Sequence, residues 1–166
     1  MTAPSLPPLP PPHTRLGVGG VLLRKGRVLV NRAVYRTRFT IPSGYIEPNE
    51  GIEAALHREL EEETGVRVSV GPLLLIRHKV ISPGESDVYF AFLLKYRDGV
   101  PEARPPEIAE IREPTLQEAL AASWISELSR LAIRLAGEKA LGWPRSDWPG
   151  GEVPGLLSET YHPPRP

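Results

Sequence analysis

The segment 51–64 constrains the fold of this 166-residue chain more than any other. It contains no proline and many strong helix formers, and a glycine, Gly65, follows where helices commonly end. At about 100° per residue, the apolar side chains of this helix fall on one side, which we expect to face the core. These residues are Ile52, Ala55, Leu56 and Leu60.

Acidic residues occupy the same side of the predicted helix. Glu59 and Glu63 fall inside the apolar sector, and Glu62 falls at its edge. Each like-charge pair costs about 0.2–0.5 kcal/mol, the helix dipole disfavours negative charge at this end, and inward-pointing carboxylates lose hydration. A divalent cation offsets all three costs, and clustered carboxylate oxygens select Mg²⁺ or Mn²⁺. The alternative is a solvated acidic surface, which is common for runs of glutamate.

The segment 44–66, GYIEPNEGIEAALHRELEEETGV, resembles the Nudix box of the MutT-like Nudix hydrolase superfamily. That box reads Gly-x5-Glu-x7-Arg-Glu-aliphatic-x-Glu-Glu-x-Gly-aliphatic, and every specified position matches. The matching residues are Gly44, Glu50, Arg58, Glu59, Leu60, Glu62, Glu63, Gly65 and Val66. The resemblance implies the Nudix fold, an α+β structure in which a mixed β-sheet lies between helices as an α/β/α sandwich.

The resemblance also implies a divalent-metal site on this helix. Glu59, Glu62 and Glu63 correspond to the acids that bind Mg²⁺ or Mn²⁺ in the family. The carbonyl of Gly44 is expected to approach the same ion, because a residue without Cβ lets backbone come close to an ion or phosphate. One of these acids, or an acid outside the box, acts as general base in different family members. Within the box we assign that role to Glu62.

Further catalytic residues are implied around this metal site. Glu50 and Arg58 match a pair whose salt bridge holds the loop against the helix. Related enzymes often carry another acid in the loop after the long strand, as a metal ligand or base. Glu107 is the better candidate here and Glu110 the second, with simple surface exposure as the alternative for both.

Substrate contacts are expected just before the box. Arg36 and Arg38 flank the strand that leads into the loop, at positions that in this fold face the phosphates or ribose; ordinary surface arginines are the alternative. Tyr35 is a candidate for stacking on a base, whereas Phe39 is expected to be a core residue. His57 falls on the solvent side of the helix and is not expected to be catalytic.

The resemblance implies an enzyme that hydrolyses a phosphoanhydride bond in a nucleoside diphosphate linked to another group. ADP-ribose or another nucleotide sugar is the preferred substrate class, and nucleoside triphosphates, normal or oxidised, are the second. A non-catalytic module that senses nucleotides on the same fold is a further alternative. Such relatives usually lose acids from the box, whereas this chain keeps them all.

Prolines cluster at both ends of the chain and suggest three parts. Residues 1–13 are predicted to be a disordered Pro-rich tail, with a polyproline ligand for a partner protein as the alternative. Residues 14–140 are predicted to form the Nudix domain, and residues 141–166 a C-terminal extension rich in Pro, Gly and Trp. Within the domain we predict strands at 16–23, 27–31, 67–70, 73–80, 87–96 and 108–112, and helices at 51–64, 116–121 and 126–140.

Composition restricts the partners and the compartment. Basic and acidic residues number 20 each, which gives a formal net charge of zero. Proteins that bind duplex nucleic acid usually carry a basic excess, so we expect a small-molecule nucleotide and no duplex partner. The chain has no cysteine, which excludes disulfides and thiolate metal sites and fits a reducing cytoplasm. No apolar run reaches the ~18 residues of a membrane span, and a homodimer is left open.

Overall fold

A computed structural model describes residues 13–140 and, at backbone level, the short strand at 160–161. The predictions for residues 1–12, including the polyproline ligand, lie outside the described residues, as does most of the predicted extension 141–166. The strands are β1 (His13–Arg24), β2 (Arg27–Val28), β3 (Val30–Ala33), β4 (Ser43–Tyr45), β5 (Arg67–Ser82), β6 (Glu85–Asp98), β7 (Ile108–Arg112) and β8 (Thr160–Tyr161). The helices are α1 (Ile52–Thr64), α2 (Leu116–Ala121) and α3 (Glu127–Ala140).

The main sheet is mixed, as predicted. Its strand order is β2-β1-β6-β5-β8, and β4 pairs separately with β1. Strands β1 and β6 run parallel over a register from His13↔Glu85 to Leu22↔Leu94, whereas the other pairs are antiparallel. A second, two-stranded sheet joins β3 to β7.

Helices cover both faces of the main sheet, which confirms the predicted α/β/α sandwich. Successive side chains of β1 point to opposite faces, so Val18 and Leu22 join a different core from Val21. One core lies against α1 and includes Leu56 and Leu60. The other lies against α2 and α3 and includes Leu75, Ala91, Ala119, Ile133 and Ala136.

Helix α1 ends as the sequence predicts. Gly65 adopts the left-handed conformation at φ 70°, and its N–H donates to the carbonyl oxygen of Glu61. No basic residue lies in the last turn of α1, where the negative end of the helix dipole disfavours acidic side chains. Ile52, predicted to face the core, is 36% exposed instead, because it lies in the first turn, beyond the edge of the buried cluster.

Two strand predictions were wrong in detail. The predicted break at 71–72 is absent, and β5 continues through it with a register shift between Val70 and Leu73. A bulge there accommodates Pro72, which has no N–H to donate to the ladder. The predicted strand 27–31 is divided between β2 and β3, which pair with β1 and β7 respectively and so belong to different sheets.

In the described part of the chain, no helix combines the length and apolar character needed to cross a bilayer.

Candidate active site

Glu63 on α1 is the most buried acid of the predicted cluster, with 6% of its surface exposed. Its Oε2 accepts two hydrogen bonds, from Asn31 Nδ2 and from the Ser43 backbone N–H, both at 2.8 Å. Burial raises the pKa of Glu63 to about 7, because the loss of hydration outweighs those two hydrogen bonds. The negative charges of Glu59 and Glu107 raise this pKa further.

Glu59 lies one helical turn earlier, with only 12% of its side chain exposed. Burial raises its pKa, although the hydrogen bond from Arg58 lowers it, and the charges of Glu62 and Glu107 add to the increase. The Glu59 carboxylate packs directly against the backbone of Gly44, where any Cβ would collide with it. Gly44, the glycine predicted to permit a close approach, thus leaves the space that this carboxylate occupies.

Arg58 ties the loop before α1 to the helix, which confirms the predicted ion pair with Glu50. Arg58 Nε and Nη2 donate to Glu50 Oε1 and Oε2, both at 2.8 Å, and Nη2 also donates to the Tyr45 carbonyl oxygen at 2.9 Å. Nη1 donates to Glu59 at 2.8 Å and to Glu62 at 3.4 Å. Together these contacts use the full donor capacity of the guanidinium. The hydrogen bonds to Glu50 are the largest cause that lowers the pKa of Glu50 to about 2.

The structure does not gather all four predicted acids. Glu59 and Glu63 lie together, and the charge of Glu107 acts on both. The side chain of Glu62 is 61% exposed, with Arg58 as its ion-pair partner. Within residues 13–140, no three His, Asp or Glu side chains are placed closely enough to hold a metal ion.

The residues present nevertheless fit a hard divalent cation. Glu63 is buried and Glu59 is partly buried one helical turn away, and negative neighbours contribute to the raised pKa values of both. Of the two, only Glu59 contacts a cationic side chain, that of Arg58. Carboxylate and carbonyl oxygens are the ligands that Mg²⁺ and Mn²⁺ prefer, and the backbone of Gly44 adjoins the pair.

Glu110, the second candidate for the acid outside the box, is engaged elsewhere. Its carboxylate pairs with Arg112 at 2.7 Å and with Arg32 at 3.3 Å. These hydrogen bonds lower the pKa of Glu110, and no influence of Glu110 on Glu59 or Glu63 is resolved. The charge of Glu107, by contrast, acts on both Glu59 and Glu63.

The loop that carries the predicted substrate residues adjoins Glu107. The N–H of Val34 donates to the Glu107 carbonyl oxygen at 2.9 Å. Tyr35 is 71% exposed, and the guanidinium of Arg36 lies 5.5 Å from the centre of its ring. Arg38 is also exposed, which leaves all three side chains accessible to a ligand.

Phe39 is buried, which confirms the prediction that it belongs to the core. Its ring meets that of Trp124 edge-on, with centroids 5.1 Å apart. His57 is exposed on α1, on the solvent side as predicted.

Asn31 is a site residue that was not predicted from the sequence. Its side chain is fully buried, donates to Glu63 and accepts from Thr40 Oγ1 at 3.3 Å. The available signal was one amide within the apolar run 28–31, since a buried polar side chain needs a partner.

A sequence model of the NUDIX domain matches residues 13–135. The chain belongs to the Nudix hydrolase family. A MutT-like protein from Streptomyces ambofaciens is 32% identical to this Nudix chain over 127 residues, 76% of this chain and 72% of the relative. The NAD-capped RNA hydrolase NudC of Deinococcus radiodurans is 34% identical over 80 residues, which cover 48% of this chain but only 28% of that protein.

Solved structures support the same fold. The crystal structure of a MutT NUDIX hydrolase from Burkholderia pseudomallei superposes with a TM-score of 0.64 at 24% identity, covering 74% of this chain and 98% of that one. Nudix proteins generally depend on a divalent metal, which agrees with the oxygen ligands described above.

The raised pKa of Glu63 predicts how the stability of the metal-free protein changes with pH. Below its unfolded value of 4.5, Glu63 is protonated in both states, whereas above about 7 the folded state holds a buried charge. The free energy of unfolding should therefore fall as pH rises from 4.5 to about 7, by up to about 3 kcal/mol from this residue.

The measurement is urea denaturation in EDTA at several pH values, comparing wild type with Glu63→Gln. Glutamine keeps an acceptor for Asn31 and Ser43, so the variant should gain stability relative to wild type across this window. If the free energy of unfolding varied with pH in the same way for both proteins, the Glu63 carboxyl would have an ordinary pKa, contrary to this prediction.

Proposed function

We propose that this protein is an Mg²⁺- or Mn²⁺-dependent hydrolase that cleaves a phosphoanhydride bond in a nucleoside diphosphate linked to another group. ADP-ribose or another nucleotide sugar is the proposed substrate class. The observation that carries the proposal is the carboxylate pair of buried Glu63 and partly buried Glu59. Loss of hydration and neighbouring negative charges raise the pKa values of both. A site of this kind favours a cation and, with it, a polyanionic substrate.

Glu59 and Glu63 would hold the ion together with Glu62 and the carbonyl of Gly44. When bound, a divalent ion neutralises pyrophosphate oxygens and lowers the pKa of an attacking water. The Glu50–Arg58 pair would fix the loop that carries the glycine, because Arg58 spans both the loop and the helix.

We assign proton removal from the attacking water to Glu62. Its side chain is mostly exposed and therefore accessible to water, and its single ion-pair contact, with Arg58, is long at 3.4 Å. Water would attack one phosphorus as its proton passes to this carboxylate, and the bond to the bridging oxygen would break as the other phosphate leaves. Glu107 is the alternative base or a further metal ligand, since its charge acts on Glu59 and Glu63.

The exposed loop 34–38 is the proposed contact for the rest of the substrate. Arg36 and Arg38 offer cationic donors for phosphate or ribose oxygens, and Tyr35 offers an exposed ring for a base. The similarity to the NAD-capped RNA hydrolase of Deinococcus radiodurans adds weight to a dinucleotide-like substrate.

A panel of nucleotides tests the proposal directly. With millimolar Mg²⁺, the protein should convert ADP-ribose to AMP and ribose 5-phosphate with a higher kcat/KM than it shows for ATP or 8-oxo-dGTP, and EDTA should abolish the activity. Faster cleavage of the triphosphates would assign the second substrate class. Cleavage that persists in EDTA, or none with any nucleotide, would refute the proposed function.

The role of Glu62 predicts a sharp contrast between two neighbouring substitutions. Glu62→Gln should lower kcat about 100-fold or more, because it removes the proton acceptor and one negative charge but keeps the shape. Glu61→Gln is the matched control, since Glu61 is exposed on the same helix and lies outside the specified box positions. Thermal unfolding checks that both variants are folded. If they are, a near-normal kcat for Glu62→Gln would show that another acid is the base.

A further inference from the structure

Tyr89 on β6 reaches across the neighbouring strand β1. Its ring lies over Gly17 and its hydroxyl lies over Gly19. A Cβ added at Gly19 would overlap the Tyr89 hydroxyl oxygen and lie 2.9 Å from the ring carbon bonded to that oxygen. In the sheet register Gly17 stands opposite Tyr89, while Gly19 stands opposite Ser43 on the other side of β1. Two glycines in one strand thus leave space for a tyrosine from β6 to reach β4.

The far end of the Tyr89 side chain meets Ser43. The Cβ of Ser43 would itself lie 2.9 Å from a Cβ on Gly19, so the Tyr89 hydroxyl and the Ser43 side chain meet over this glycine. A tyrosine phenol is protonated at neutral pH, and burial raises the pKa of Tyr89 further above its ordinary value. A neutral hydroxyl is thus available to hold Ser43.

Ser43 connects this contact to the acid pair. Its backbone N–H donates to Glu63 Oε2 at 2.8 Å, and the next residue, Gly44, packs against the Glu59 carboxylate. The 43–44 segment therefore contacts both acids.

We propose that Tyr89 is a positioning residue, which fixes Ser43 through its hydroxyl and so holds Glu63 and Glu59 in the arrangement that binds the metal ion. This inference rests on the proposed function. Tyr89 itself lies on the α3 side of the sheet and packs beside that core, whereas the acids lie on the α1 side. Its effect is therefore transmitted through the backbone of β4.

Direct Mn²⁺ binding, measured by electron paramagnetic resonance of the free ion, tests the inference without relying on activity. Tyr89→Phe keeps the ring over Gly17 and loses only the hydroxyl, so Mn²⁺ affinity should fall about threefold to tenfold, as expected for one lost hydrogen bond. Tyr96→Phe is the matched control on the same strand. Tyr96 donates a hydrogen bond to the Gly99 carbonyl at 2.8 Å, within the loop beyond β6, so its variant should lose stability but keep wild-type Mn²⁺ affinity.

A double-mutant cycle separates positioning from packing. Ser43→Ala keeps the N–H that holds Glu63 but loses the hydroxyl, so it should weaken Mn²⁺ binding as Tyr89→Phe does, and the double variant should bind no more weakly than either. Equal Mn²⁺ affinity for wild type and Tyr89→Phe, or fully additive losses in the double variant, would overturn the inference. A wild-type protein that binds no Mn²⁺ would instead refute the proposed function.

Discussion

The site depends on how the carboxylate of Glu63 is held. A helix, a strand of the small sheet and a strand of the main sheet meet at this group, since α1 supplies the acid, β3 supplies Asn31 and β4 supplies the Ser43 N–H. Two neutral donors satisfy one oxygen, but they do not offset the loss of hydration. The fold therefore leaves the negative charge of Glu63 incompletely compensated, and a bound divalent cation would neutralise that charge.

Two carboxylates of the same motif occupy opposite electrostatic environments. Glu50 lies beside the Arg58 guanidinium, which holds its pKa near 2, whereas burial lifts the pKa of Glu63 to about 7. Arg58 is committed to the loop and to Glu59, and no contact with Glu63 accompanies these bonds. The same arginine thus organises the site while leaving its most buried acid without a cationic partner.

Local spacing explains what the sequence could predict. The helix and its terminal Gly65 follow from separations of a few residues along the chain, whereas the Glu50–Arg58 pair follows from the resemblance to the Nudix box. All three are present. Asn31 donates to an acid on α1, and Tyr89 reaches over β1 through the register of β1 with β6. Both contacts join segments that are distant in sequence, which no local pattern specifies. Glu63 is buried whereas Glu62 is exposed, and this difference likewise depends on which elements cover the helix.

The central claim is that Glu59 and Glu63 bind a divalent cation, and a Mn²⁺-soaked crystal tests it most directly. Anomalous scattering should show a peak within about 2.5 Å of oxygens from both carboxylates, with the Gly44 carbonyl turned towards it. A well-ordered crystal with no peak at these side chains, and with Glu63 still bonded only to Asn31 and Ser43, would contradict the account.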